Sequence, residues 1–195
     1  IGSSSGSVSL DAPASTTGGS NITFSLPVAD GSANQALATD GSNALSFQTQ
    51  GYGVFDAQHG SSAQSFPVTT WTKIQLKSEI ADLDNLFDSS TNYRYTPQVA
   101  GWYYVTAHFI LTGMNGESHE MYTAIYKNGS SAIKAHGGGR EGYGGFAQAD
   151  VYGFVQMNGS SDYLEAWGWQ NNSSSSARDV STDYTRMVGF LVRRT

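Results

Sequence analysis

Several strings in the sequence match catalytic or metal patterns, and each lacks the element its chemistry requires. Gly2-Ser-Ser-Ser-Gly6 has the spacing of a nucleophile elbow, where a serine is strained on a turn between a strand and a helix. Nothing in the sequence ahead of it supplies the strand. Gly137-Gly-Gly139-Arg-Glu-Gly142 fits the dinucleotide-binding glycine spacing, but no amphipathic helix follows to aim an N-terminal dipole at a pyrophosphate. His119-Glu-Met-Tyr-Thr123 begins like a zinc-protease helix and has Thr where the second histidine ligand must fall. His59, His108, His119 and His136 are scattered without metal-ligand spacing, and Asp82, Asp84 and Asp88 read as a solvated acidic loop rather than a calcium loop. The expectation is therefore a chain that is not an enzyme, with no catalytic residue, no metal site and no cofactor.

Two features retain the chemistry of recognition. The run His136-Gly-Gly-Gly-Arg-Glu-Gly-Tyr-Gly-Gly145 places Arg140, Glu141 and Tyr143 in a glycine-dense connection between strands. It reads either as an adaptable binding loop carrying residue types common in binding hot spots, or as an ordinary mobile connection. Trp167 and Trp169 stand two apart and so share one strand face. Such a pair can stack on sugar rings, pack in a core or line a subunit interface.

The elements that would position these residues are strands. Apolar, β-branched and aromatic runs at Trp102–Leu111, Met121–Tyr126, Ala149–Gln156, Tyr163–Trp169 and Arg186–Val192 are bounded by turn residues. Asn115-Gly116, Asn128-Gly129 and Asn158-Gly159 are strong hairpin signals. From Gly51 onward the spacing predicts an antiparallel sandwich or jelly roll. Ile80–Phe87 has helix-like apolar spacing but is short and Asp-rich, and predicts a loop with at most one or two helical turns.

Residues 1–50 are different material: Gly, Ser, Ala, Thr and Asn with isolated apolar residues too sparse to close a monomeric core. Ile22-Thr-Phe-Ser-Leu26 nevertheless alternates with period two, as a half-buried strand does, and Asp30-Gly-Ser recurs as Asp40-Gly-Ser. The arm is thus either a flexible linker or a segment that draws its missing core from other chains, and the alternation favours the second.

Composition narrows the partners. The 195 residues include no Cys, which excludes disulfides, thiolate metal sites and cysteine nucleophiles. The net charge is −6, and the first Lys or Arg is Lys73, so the first 72 residues hold four Asp and no cation. A nucleic-acid-binding chain has the opposite imbalance. No apolar run approaches the roughly 18 residues of a membrane helix, which predicts a soluble chain that inserts in no membrane and shows no export signal.

Four stretches occur in an order that carries a family resemblance. Phe87-Asp-Ser-Ser-Thr-Asn-Tyr-Arg-Tyr-Thr-Pro97 runs into Gln-Val-Ala-Gly101-Trp-Tyr-Tyr. Ala124-Ile-Tyr-Lys-Asn-Gly129, Met157-Asn-Gly-Ser-Ser-Asp-Tyr-Leu-Glu-Ala-Trp167 and Met187-Val-Gly-Phe-Leu-Val192 follow. Residues 54–195 resemble the C1q/TNF-like jelly-roll family in these motifs. The turn between Gly159 and Asp162 is longer than the family's, so ligand positions there do not transfer. The resemblance implies an all-β C1q/TNF-like antiparallel jelly-roll sandwich (51–195) behind an extended β arm (1–50), assembled as a homotrimer around aromatic-rich faces.

The arm, with Val8-Ser-Leu10, Asn21–Pro27 and the two Asp-Gly-Ser turns, is similar to segments of bacteriophage tail-fibre and other virion proteins. That likeness implies a trimeric fibre or spike on the virion. The arm would join other virion proteins, and the C-terminal knob would adhere to a host-surface glycan or outer-membrane protein through Arg140, Glu141 and Tyr143, with Trp167 and Trp169 second. Two other readings stay open at this point, a purely structural trimerisation or decoration protein of the virion and a secreted C1q-like lectin.

Overall fold

A computed structural model of the chain describes residues 23–32, 35–49, 53–60, 62–140 and 145–195. The chain divides into two units, Ile1–Gly51 and Tyr52–Thr195. In the first, β1 (Gln35–Thr39) and β2 (Leu45–Thr49) pair antiparallel, with Leu37 opposite Phe47. The second Asp-Gly-Ser makes the reversal, because Asp40 Oδ1 accepts from the Ser42 and Ala44 amides at 2.7 and 3.2 Å. The half-buried strand expected at 22–26 is not buried within one chain. Ile22 lies outside the described residues, Ser25 makes a single parallel bridge to Ala44, and Phe24 and Leu26 are exposed. A lone two-stranded hairpin is at best marginally stable in water.

The second unit runs through β3 (Phe55–Gln58), β4 (Ser65–Phe66), β5 (Thr72–Lys73), β6 (Ser78–Asp82), β7 (Phe87–Asp88) and β8 (Arg94–Tyr95). The long strands follow: β9 (Ala100–Thr112), β10 (Ser118–Lys127), β11 (Ser130–Arg140), β12 (Phe146–Asn158) and β13 (Leu164–Asn172). The short β14 (Arg178–Asp179) and the closing β15 (Arg186–Arg194) complete it. One sheet has the order β12-β9-β15-β3-β6 and the other β11-β10-β13-β8-β7, with β5 also on β13. The named strands pair antiparallel throughout. The core lies between the two sheets and is written with period two. Tyr103, Val105, Ala107, Phe109 and Leu111 of β9 face inward, as do Ala147, Ala149, Val151, Val155 and Met157 of β12, toward Met121, Ile125, Leu164 and Ala166 of the other sheet. Phe55 stacks on Tyr95 at 4.1 Å, and the buried Tyr95 hydroxyl donates to the Gly53 carbonyl at 3.0 Å.

Three expectations are corrected. Ile80–Phe87, expected as a loop, is strand at both ends: Ile80 belongs to β6 and Phe87 to β7, and the chain reverses between them, where Asp82 Oδ2 accepts from the Phe87 amide at 2.8 Å. Of the three Asn-Gly pairs, only Asn128-Gly129 closes a hairpin. It joins β10 to β11 with both residues at positive φ, as a type I′ turn requires. Asn115-Gly116 and Asn158-Gly159 connect strands of different sheets. An Asn side chain that caps its own turn specifies a reversal and not the sheet that receives the next strand. Asn158 Oδ1, for instance, accepts from the amides of Ser160, Ser161 and Asp162. Finally, the run from His136 is not wholly a connection, since β11 continues through Arg140. Its partner β10 offers a ladder from Lys127 to Ser118, which outweighs the weak strand propensity of glycine.

His59 supplies a pH test of this core. It is fully buried, and its Nδ1 lies 2.7 Å from the Gln75 carbonyl, so Nδ1 carries the proton and donates. Nε2 is buried without a partner among the described residues. Burial lowers the imidazole's pKa, the Lys77 ammonium adds to the effect, and the Gln75 carbonyl opposes it. The unfolded chain binds this proton near pH 6.5 and the folded chain resists it, so stability falls as pH drops from 6.5 through the depressed value, by at most about 1.4 kcal/mol per pH unit. Thermal melts between pH 7.5 and 5 are expected to show this slope and His59→Gln to reduce it.

Candidate recognition surface

The outer face of the six-stranded sheet is a grid set by register. Outward positions alternate, and β10 aligns Tyr122 with His136 of β11 on one side and Trp169 of β13 on the other. The next positions align Tyr126 with Glu165 and Ala124 with both Lys134 and Trp167. Trp167 stacks on Tyr126 with centroids 4.6 Å apart, and Trp169 meets Tyr122 edge-on at 5.4 Å. Trp71, from the loop before β5, lies 6.2 and 6.1 Å from Tyr122 and Tyr126, and Lys134 Nζ stands 5.5 Å from its ring. Each of these aromatic rings is half-buried by the others.

Carboxylates anchor the cluster. Glu165 is buried, accepts from Trp167 Nε1 at 3.0 Å and pairs with Lys73 Nζ at 2.6 Å. Glu120 accepts from the Tyr122 hydroxyl at 2.6 Å and has His136 Nε2 at 3.7 Å. The bond to Glu120 raises the Tyr122 pKa, because a phenolate beside a carboxylate is disfavoured. Trp167 and Trp169 therefore share a face as expected, and that face is neither the sandwich core nor free of neighbours.

Toward its end the grid turns polar. A cleft of about 270 Å³ is lined by Ser118, His119, Glu120, Asn171, Asn172 and Ser173. Arg140, the last residue of β11, pairs with Ser118 at this end of the sheet, while Glu141 and Tyr143 lie outside the described residues. Glu120 and Asn171 are direct register partners, a neighbourhood that no local motif announces. Its only trace in the sequence is the period-two alternation that puts Glu120 in line with Tyr122 and Asn171 in line with Trp169.

A second cleft of about 260 Å³, lined in part by Lys127, Asn158 and Asp162, is tied by internal bonds. Asp162 accepts from Lys127 Nζ at 2.7 Å, Asn128 Nδ2 at 2.7 Å and the Asn158 amide at 2.9 Å. Burial pushes the Asp162 pKa up, but these donors outweigh it and hold the carboxyl below its ordinary value. Asp88 is likewise occupied, by the amides of Ser90, Thr91 and Asn92. No group of three or more His, Asp or Glu among the described residues is placed to hold a metal ion.

The opposite outer face, on the five-stranded sheet, is aromatic and open. Phe154, Tyr104 and Phe190 form one register row across β12, β9 and β15, with ring centroids 5.4 and 5.7 Å apart. Phe154 is 58% exposed, Tyr152 68%, Phe190 43% and Trp102 41%. The face ends in charge, where His108 pairs with Asp150 and Arg186 with Asp56.

No protein-family model and no curated protein matches the sequence. The fold is similar to that of solved structures. The globular domain of zebrafish complement 1qA protein aligns with a TM-score of 0.51 at 12% identity, covering 73% of this chain and 98% of that one. A TNF structure, Eiger from S. frugiperda, gives 0.52 at 5% identity over 75% and 96%. Murine APRIL at pH 5.0 gives 0.50 at 8% identity over 72% and 99%. At these identities the likeness is one of fold, and the fold is the C1q/TNF jelly roll. No helix of the described residues is long and apolar enough to cross a membrane.

Proposed function

We propose that the chain is a non-enzymatic adhesion protein, a homotrimer joined through the aromatic face of the five-stranded sheet and displaying the six-stranded sheet outward. The observation that carries this reading is the exposed row Phe154–Tyr104–Phe190 with Tyr152 and Trp102 beside it. Soluble monomers rarely leave so large a contiguous apolar patch in water. Trimers are typical of the fold, and a closed ring of three copies covers this patch on every subunit. The arm fits the same reading, since exposed Phe24 and Leu26 beside a lone hairpin call for partners from other chains.

The arm's resemblance to virion proteins supports placing the trimer on a bacteriophage fibre, where the knob meets a host-surface glycan or outer-membrane protein. Repetition of weak sites around such a trimer raises avidity without any tight single contact. Arg140, Glu141, Tyr143, Trp167 and Trp169 are the proposed recognition residues. The test is mass in solution: light scattering is expected to give three times the 20.8 kDa chain mass. A monomeric or dimeric mass at micromolar concentration refutes the proposal.

A further inference from the structure

The three Asn-Gly pairs carry a chemistry that turn formation does not use. The main-chain nitrogen of the glycine can attack Cγ of the asparagine before it, forming an N–C bond, closing a five-membered succinimide and expelling the side-chain nitrogen as ammonia. Water then opens the ring at either carbonyl. The products are aspartate and isoaspartate, in which the main chain runs through the side-chain carbon. Glycine in the second place favours the attack because it has no Cβ to obstruct the approach. Water is the one co-reactant, so the fold decides which pair reacts by what it does to each carboxamide and each glycine.

Exposure does not separate the three, since Asn115, Asn128 and Asn158 all stand at the surface. Hydrogen bonding does. Asn128 is held at both ends of its amide: Nδ2 donates to Asp162 Oδ1 at 2.7 Å, and Oδ1 accepts from the Tyr163 main-chain amide at 3.0 Å. Asn158 Oδ1 accepts from the amides of Ser160, Ser161 and Asp162, each at 3.0 Å, and its Nδ2 donates to Ser161 Oγ at 2.9 Å. Both carboxamides must break these bonds before Cγ can turn toward the following nitrogen. Asn115 makes no side-chain hydrogen bond among the described residues, and its Oδ1 lies beside Gly145, which has no side chain to hold it. The glycines differ in the same sense. A Cβ on Gly159 would fall 2.1 Å from the Ala100 nitrogen, so the main chain there is wedged against β9, whereas a Cβ on Gly116 would meet nothing within 4 Å. The Glu117 amide closes the 114–117 turn by donating to the Met114 carbonyl at 3.1 Å, which leaves the Gly116 nitrogen outside that bond.

We infer that Asn115 is a site of spontaneous deamidation to aspartate and isoaspartate, and that Asn128 and Asn158 are shielded from the same reaction by their own side-chain hydrogen bonds. Conversion adds one negative charge per copy, two residues from Glu117, which pairs with Arg178. The isoaspartate form also lengthens the main chain inside the turn that carries β9 of one sheet into β10 of the other.

Mass-spectrometric peptide mapping of the full chain, held folded at mildly alkaline pH and sampled over time, tests this. Exchange of the side-chain NH2 for OH marks conversion, an isoaspartate-specific carboxyl methyltransferase marks the isoaspartate fraction, and Asn115→Asp supplies the standard for the aspartate product. The Asn115 peptide is expected to convert at least tenfold faster than the Asn128 and Asn158 peptides, a ratio equivalent to about 1.4 kcal/mol of protection at the slower sites. Its rate is expected to rise with pH, because the main-chain nitrogen attacks as its anion. In urea strong enough to unfold the chain the side-chain bonds are gone, and the three peptides are expected to convert at similar rates. Equal rates in the folded chain, or faster conversion at Asn128 or Asn158, overturn the inference. A preference for Asn115 that persists undiminished in urea overturns it as well, since the fold would then not be its cause.

Discussion

Phe190→Asp is expected to convert the proposed trimer into a folded monomer. Phe190 lies at one end of the row Phe154–Tyr104–Phe190 and is 43% exposed in the single chain, so the substitution costs the isolated jelly roll little. In the proposed assembly the same position is covered, and an unpaired carboxylate buried there costs several kcal/mol per copy. Arg186 on β15 is already engaged by Asp56, at the far end of the face. Three copies of the new charge would also gather around one axis. Light scattering is therefore expected to give the 20.8 kDa chain mass while far-UV circular dichroism stays that of the parent. A Phe190→Asp chain that keeps the parent mass shows that this face is not the interface. Phe190→Leu, which keeps the surface apolar, is expected to retain most of the association.

Phe109→Ala is expected to lower the unfolding free energy by about 3–5 kcal/mol, the range for removing a large buried ring and leaving a cavity. Phe109 is fully buried and packs on Phe66 with centroids 4.7 Å apart. It also explains the motif Trp167-Gly168-Trp169. The two tryptophans point outward, so the residue between them points in, where a Cβ would fall 2.6 Å from the Phe109 ring. Glycine is the residue that lets β13 lie so close to that ring. Gly168→Ala alone is expected to cost about 1–3 kcal/mol by overpacking. Combined with Phe109→Ala the new methyl enters vacated space, so the double variant loses less than the two losses added together. Urea unfolding of the four proteins measures this coupling, and strict additivity would contradict the packing described.

These two substitutions show which parts of the molecule could be read in advance. That positions 103, 105, 107 and 109 share a face follows from alternation, and the long strands at 102–111, 121–126, 149–156, 163–169 and 186–192 are found within a few residues of where their β-branched and aromatic content puts them. Where glycine dominates, local propensity misleads. Residues 136–140 read as a connection and form the end of β11, since pairing with β10 decides the matter and propensity is the weaker force. The Asn-Gly pairs at 115 and 158 mark reversals correctly, yet both cross between sheets, because the destination of a strand depends on which partner buries its apolar side.

The candidate recognition surface was legible to a smaller degree. Parity placed Trp167 and Trp169 together, but not the sheet face to which they belong or the rings they touch. Tyr122 and Trp169 are far apart along the chain and adjacent in space, as are Glu120 and Asn171, because β10 and β13 pair in one particular register. A slip of one residue by either strand would send its two members of this set to the other face and part them from their partners.

By itself, then, the order of residues determined an all-β jelly roll, a core of alternating apolar positions, a sparse arm, and an acidic, cysteine-free chain. Those properties depend on composition and on neighbours one or two residues away. Tertiary structure alone decided which aromatic face stays open to water, which is packed into a cluster, and that the carboxylate of Glu120 and the amide of Asn171 stand opposite one another at one end of a sheet. Such juxtapositions are products of register and layer packing, where contacts distant in the chain are fixed together by burial of the shared core and not by any local signal.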